Sequence, residues 1–107
     1  MTEEYPDEIK LYDHVPNSGI VHLPGRWFPA VAIQGDSLSI MFGTALSFME
    51  HAKESDNEDL YYEALELAEK LQNHLLRYES VLANEGFEKP YMTDVKGVSL
   101  EQEFKNS

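Results

Sequence analysis

"PGRWFPAVAIQGDSLSIMFG", residues 24–43, changes its rhythm halfway. Trp27 to Ile33 is an apolar, β-prone run that predicts a strand. Pro29 has no N–H to give to a ladder, so that strand is expected at a sheet edge or with a bulge. From Leu38 onward the apolar residues Met41, Phe42 and Ala45 recur every three to four positions, which predicts a helix. Between the two lies Gln34-Gly35-Asp36-Ser37, where Asp36 or Ser37 would cap the helix by accepting from its unpaired N–H groups. Leu23-Pro24-Gly25-Arg26 fits a type II turn, with proline second and glycine third. Gly43 weakens the helix interior by about 1 kcal/mol relative to alanine and suggests close approach of another backbone.

Upstream, residues 9–15 alternate apolar and polar, with Ile9, Leu11 and Val15 on one parity and Asp13 breaking the series. Pro16-Asn17-Ser18-Gly19 is turn chemistry, and Gly19 to Leu23 reads as a second strand. Three strands in succession predict an antiparallel meander. Downstream, Ser55-Asp56-Asn57 makes a turn and a fresh cap, and a second helix follows over roughly 57–84. Its inner stripe is expected at Leu60, Ala64, Leu67, Leu71, His74, Tyr78 and Val81, with Tyr61, Ala68, Leu75 and Leu82 beside it. These steps alternate four and three, close to a heptad. Gly86 is the stop. The second helix spans about 40 Å and the first about 27 Å, so a third of the longer one overhangs. That overhang needs cover, either from the apolar arm 85–107 folding back or from a second copy of the chain. The expected fold is α+β: a short three-stranded antiparallel meander, a two-helix hairpin and a C-terminal arm. A single domain over 1–107 is expected, with 1–8 and 103–107 flexible.

The chain has 107 residues, 42% of them hydrophobic, and a net charge of −12. Such a surface repels phosphate backbones and anionic membranes. Residues 14–49 carry only Arg26 and Asp36 as charges, whereas residues 50–79 carry nine acids against three bases. The neutral middle is therefore expected to be the buried sheet and first helix, and the acids to coat the second helix. Cysteine is absent, which removes disulfides and thiolate chemistry. The acidic start, Met1-Thr2-Glu3-Glu4, is unlike a signal peptide, and a cytoplasmic location is expected.

Chemistry concentrates at one corner. Arg26 is the first of only two arginines. It can clamp a phosphate or carboxylate in a fork, and Trp27 can stack on a planar ring. Gln34 can read a polar edge, Gly35 lets backbone approach a ligand, and the N–H groups after Asp36 and Ser37 form an anion-accepting helix start. The competing reading is a hairpin turn running into a helix cap. His14, His22, His51 and His74 are scattered; His51 with Glu50 and Glu54 comes nearest to a metal pattern and falls short of one. The paired acids Glu63, Glu66 and Glu69 read as a solvated face, and no serine shows a nucleophile pattern. No catalytic residue, metal or cofactor is expected.

The stretch "LPGRWFPAVAIQGDSLSIM", residues 23–41, resembles the signature "LPGRrFPgvviQGDSLSIL" of a family of small bacterial and phage proteins of unknown function. Arg26, Phe28, Pro29, Gln34, Gly35, Asp36, Ser37, Leu38 and Ser39 all fit it; Trp27 stands where the family carries a basic residue. The resemblance implies no activity. Size, acidity and expected oligomerisation are also similar to those of phage proteins that sequester nucleotide second messengers of antiviral defence. The expectation is a non-enzymatic binder of a small anionic or nucleotide-like ligand, a homo-oligomer through the second helix. The alternative is an acidic immunity or anti-defence inhibitor that blocks a basic protein surface.

Overall fold

The computed structural model describes residues 8–16 and 18–104. The expectation for the chain ends, and Asn17 of the first turn, fall largely outside them. The chain forms two compact units, Met1–Gln34 and Gly35–Ser107.

The first unit is the expected antiparallel meander. Strand β1 is Lys10–Val15, β2 is Ser18–His22 and β3 is Ala30–Ile33, in the order β1-β2-β3. Strand β3 is shorter than the predicted Trp27–Ile33, because Pro29 cannot extend the ladder. The turn before it forms as predicted: the Arg26 N–H donates to the Leu23 carbonyl at 3.3 Å, and Gly25 takes φ 76°. In β1 the register slips between Leu11, opposite Val21, and Asp13, opposite Ile20. Tyr12 is the extra residue of a bulge. Opposed residues share a face, so the bulge sends Leu11 and Val15 to opposite faces despite their equal parity. The single-parity expectation for β1 is thereby corrected. So is the expectation of a buried sheet. All six residues of β1 are exposed, as are Val31 and Ile33. Among the described residues the fully buried apolar side chains all lie in the stretch from Phe42 to Val95. The strands are short and carry Gly19, Ala30 and Ala32, so they have little side-chain volume with which to build a core.

The second unit supplies that core. Helix α1 is Gly35–Glu54 and α2 is Glu58–Glu85. Three residues join them, which makes them antiparallel neighbours. Asn57 caps α2 as expected, its Oδ1 accepting from the Leu60 N–H at 3.1 Å, and Asp56 makes the sharp turn at φ 55°. At the far end Gly86 (φ 81°) donates to the Ala83 carbonyl and Phe87 donates to that of Leu82, closing the helix in a Schellman pair. Phe42, Ala45, Met49 and Ala52 of α1 pack in one cluster with Tyr61, Leu65, Ala68 and Leu75 of α2.

The inner face of α2 is not the predicted one. Leu60, Leu67 and Val81 are exposed, and the buried row runs Tyr61, Ala64/Leu65, Ala68, Leu75 and Glu79. The face is rotated because two of its positions, Gln72 and Glu79, are polar and so broke the apolar pattern. Both are satisfied by the arm. Gln72 Nε2 donates to the carbonyls of Val95 (3.2 Å) and Val98 (2.8 Å). The arm runs back along α2: Tyr91 meets Glu79, Val95 is fully buried, and Phe104 lies edge-on to Tyr61 at 5.4 Å. Of the two expected covers for the overhang, the chain's own arm is one that is present.

Candidate functional site

The corner residues divide between the two units. Arg26, Trp27 and Gln34 belong to the sheet unit, and Gly35, Asp36 and Ser37 open α1.

Arg26 sits on a turn that is fixed from below. Tyr12 and His22 share one face of the sheet, because the bulge keeps Tyr12 beside Asp13. The Tyr12 hydroxyl lies 3.1 Å from His22 Nδ1, and His22 Nε2 lies 2.6 Å from the Arg26 carbonyl oxygen. A carbonyl only accepts, so Nε2 carries the hydrogen and donates to it; in the neutral ring Nδ1 then accepts from Tyr12. The Arg26 N–H is held as well, by Leu23. The side chain is exposed, and its guanidinium forms no hydrogen bond or ion pair among the described residues. Trp27, next in the chain, is about half exposed at 52%. Sequence reasoning singled out Arg26 but passed over Tyr12 and His22, whose roles depend on the bulge and on the turn geometry.

The start of α1 differs from the predicted cap. The helix opens at Gly35, so Asp36 and Ser37 are its second and third residues. The Ser37 N–H donates to Asp36 Oδ1 at 2.9 Å, and the Ser39 hydroxyl donates to the Asp36 carbonyl at 2.7 Å. Asp36 therefore places a negative charge at the positive end of the helix and uses one of its N–H groups. Gly35 is buried, and a Cβ built there would overlap the outer edge of the Tyr78 ring, 2.6 Å from its hydroxyl oxygen. The close approach that glycine permits is that of α2. Gly43, expected to admit another backbone, has nothing within 4 Å of a built Cβ.

Two polar constellations in the helical unit escaped the sequence reading. Glu79, 7% exposed, accepts from the Tyr91 hydroxyl at 2.6 Å. Burial, then the Glu79 carboxylate, push the Tyr91 hydroxyl well above its ordinary range. The second is an open depression of about 210 Å³ between both helices and the arm, lined by Leu46, Met49, Lys53, Tyr61 and Leu100. Its polar groups are engaged: Lys53 Nζ lies 3.2 Å from Glu101 Oε1 and 3.9 Å from Glu50, and the Tyr61 hydroxyl donates to the Glu101 carbonyl at 2.9 Å. The hydrogen bond to Glu101 raises the Lys53 ammonium above its usual value, and burial raises Tyr61. These groups fasten the arm to the hairpin. Among the described residues no three of His, Asp and Glu group as metal ligands, and no helix is long and apolar enough to cross a membrane.

No curated protein and no solved structure matches the chain. A family of unknown function, DUF6959, matches residues 4–91, from ahead of β1 through α2 to the Tyr91 that meets Glu79. That span contains Arg26, the Gln34–Ser37 corner and both helices, and on it the chain belongs to the DUF6959 family.

Proposed function

We propose that the protein is a non-enzymatic binder of a small anionic, nucleotide-like ligand, with Arg26 taking the negative charge. The observation that carries this reading is Arg26 itself. Its backbone is held at both N–H and carbonyl, its guanidinium is exposed, and among the described residues no carboxylate engages it. In a chain with 20 acids, an arginine fixed at its base and open at its tip is available to a planar anion that it can grip in a fork. Trp27 supports a ligand with a ring by its residue type, since an indole can stack on bases of any sequence. Gln34 carries a further amide donor by its own chemistry. At the start of α1 the Asp36 carboxylate already takes the Ser37 N–H, so the ligand's charge is assigned to Arg26. The finer reading is sequestration of a nucleotide signal, as a phage anti-defence sponge would do.

Titration calorimetry against cyclic dinucleotides and ADP-ribose derivatives tests this. Binding of at least one anionic nucleotide is expected. Arg26→Ala should weaken it on the order of 10- to 100-fold, the worth of hydrogen bonds to a charged group. Absence of heat with every member of the panel at high protein concentration contradicts the reading.

One observation favours the acidic-inhibitor alternative. Glu58, Asp59 and Glu63 at the start of α2 are exposed and form no ion pair among the described residues. That reading expects capture of a basic protein that weakens steeply with salt and is indifferent to Arg26→Ala.

A further inference from the structure

Helix α2 carries two apolar rows. The first, from Tyr61 to Glu79, is consumed by α1 and the arm. The second is Leu60, Leu67, His74 and Val81, spaced by seven residues and therefore stacked on one side of the helix. Its members are open: Leu60 is 40%, Leu67 46% and Val81 52% exposed, and His74 is exposed as well. Ala64, Leu71 and Tyr78 lie between the rows, so 60-64-67-71-74-78-81 is an unbroken heptad seam with one side uncovered.

Between positions 59 and 81 the charges beside this seam are sorted along the helix; Glu85, beyond the seam, is an acid on the same side. At about 100° per residue, Asp59, Glu63, Glu66, Lys70 and Arg77 fall on the flank of the exposed row away from the buried one. The first three are acids in the amino-terminal half, and the last two are bases in the carboxy-terminal half. Lys70 reaches Glu66 at 3.7 Å, and Arg77 has no ion-pair partner among the described residues. A second α2 laid parallel would set acids against acids. Laid antiparallel, it sets acids against Arg77.

We infer that α2 is a self-pairing surface: two copies of the chain associate through antiparallel α2 helices along the Leu60–Leu67–His74–Val81 row. The two-fold axis passes between positions 70 and 71. Leu60 then stands opposite Val81 of the partner subunit, Leu67 opposite His74 of the partner subunit, and Glu63 and Glu66 flank Arg77 of the partner subunit. A two-fold repeats each contact, so one sorted charge pattern satisfies both ends. The pattern selects a second copy over other occupants. A polyanion is repelled by the net charge of −12, and a purely basic helix would leave Arg77 facing like charge; Lys70, next to the two-fold axis, keeps Glu66 of its own helix as its partner. The seam from Leu60 to Val81 is about 32 Å long. A single helix pair of that length falls at the small end of stable interfaces, about 600 Å² per partner, so the dimer is expected to dissociate on dilution.

Sedimentation velocity of the full chain over about a hundredfold range of concentration reads this equilibrium directly. The wild type should pass from monomer to dimer. Leu67→Lys should stay monomeric with an unchanged circular-dichroism spectrum, whereas Met92→Lys, at a residue 98% exposed and off the seam, should dimerise normally. Arg77→Glu should weaken the dimer about tenfold or more, and Glu63→Arg added to it should restore association, which only the antiparallel arrangement allows. Both charge variants lie on the surface, so they decide the matter even if Leu67→Lys does not fold. A wild type that stays monomeric throughout, a Leu67→Lys protein that still dimerises, or failure of the Glu63→Arg rescue overturns the inference. None of these substitutions touches Arg26, so such a failure leaves the ligand reading standing.

Discussion

Glycine-to-alanine changes in α1 should have opposite effects at positions eight residues apart. At Gly43 the helix is exposed and a Cβ meets nothing within 4 Å. Alanine there gains its full helix propensity, about 1 kcal/mol. For a domain of this size that is a rise of about 4–8 °C in melting temperature. At Gly35 the new Cβ would overlap the edge of the Tyr78 ring. Either α1 must shift, or Tyr78 must swing out and give up its half-buried packing. Overpacking of this kind costs about 1–3 kcal/mol. The ring is the outer end of a rotatable side chain, which puts the expectation at the lower part of that range. Set against the propensity gain at a helix end, the net effect is a loss of about 1 kcal/mol. Thermal melts followed by far-UV circular dichroism give both values. Tyr78→Ala provides the internal check, because it empties the space the Cβ needs. Gly35→Ala should become neutral or stabilising in that background, a coupling of about 1–2 kcal/mol in a double-mutant cycle. If Gly35→Ala stabilises as much as Gly43→Ala, or if its cost is the same with and without the Tyr78 ring, the packing argument for Gly35 is wrong.

Two further expectations concern the helix cap and the arm. Asn57→Ala removes the acceptor of the Leu60 N–H and should cost about 1 kcal/mol, read as a fall in the denaturation midpoint with an unchanged slope. Tyr91→Phe leaves the buried Glu79 carboxylate without its donor and should cost about 2 kcal/mol near neutral pH. Its pH dependence follows from the raised Tyr91 value. Below pH 10 the hydroxyl is protonated in both folded and unfolded chains, and its contribution is complete. Above that the unfolded chain loses the proton first, so stability falls as pH rises. Lys53, also raised, loses its contribution in the same direction. Melts from pH 8 upward should therefore fall less steeply for Tyr91→Phe than for the wild type (about 10 is the ordinary tyrosine value).

What the sequence disclosed was local. The Leu23–Arg26 turn, the Asn57 cap and the Gly86 stop each rest on the conformation or hydrogen bond of a single residue, and all three formed as read. The meander and hairpin followed from them. What it concealed depends on residues distant along the chain. Gln72 and Glu79 fall outside the predicted inner stripe because their partners lie 12 to 26 positions away in the arm. Their polarity on the inner side of α2 made the exposed Leu60–Leu67–Val81 row look like the buried one. A single bulge at Tyr12 reversed half of β1, and alternation carries no sign of an inserted residue. The net-zero charge of residues 14–49 suggests burial, yet β3 is largely exposed and β2 only half-buried, because neutrality removes a barrier to burial without supplying side-chain volume. Of the two glycines of α1 it is Gly35, not Gly43, whose missing Cβ a neighbour needs, and only the packed neighbour tells which. At the candidate site Arg26 was legible from its rarity. The Tyr12–His22 support beneath it was not, because it requires both the bulge and the turn to be in place.

The chain's two arginines make the central claim open to one spectroscopic measurement. In a ¹⁵N–¹H correlation spectrum only Arg26 and Arg77 contribute arginine Nε–H signals, so one serves as the control for the other. Titration with ADP-ribose or a cyclic dinucleotide at constant protein concentration should move the Arg26 signal to saturation and leave that of Arg77 in place. Two signals that stay fixed throughout, or that drift together as they would with bulk ionic strength, would contradict the assignment of Arg26 as the anion-holding residue.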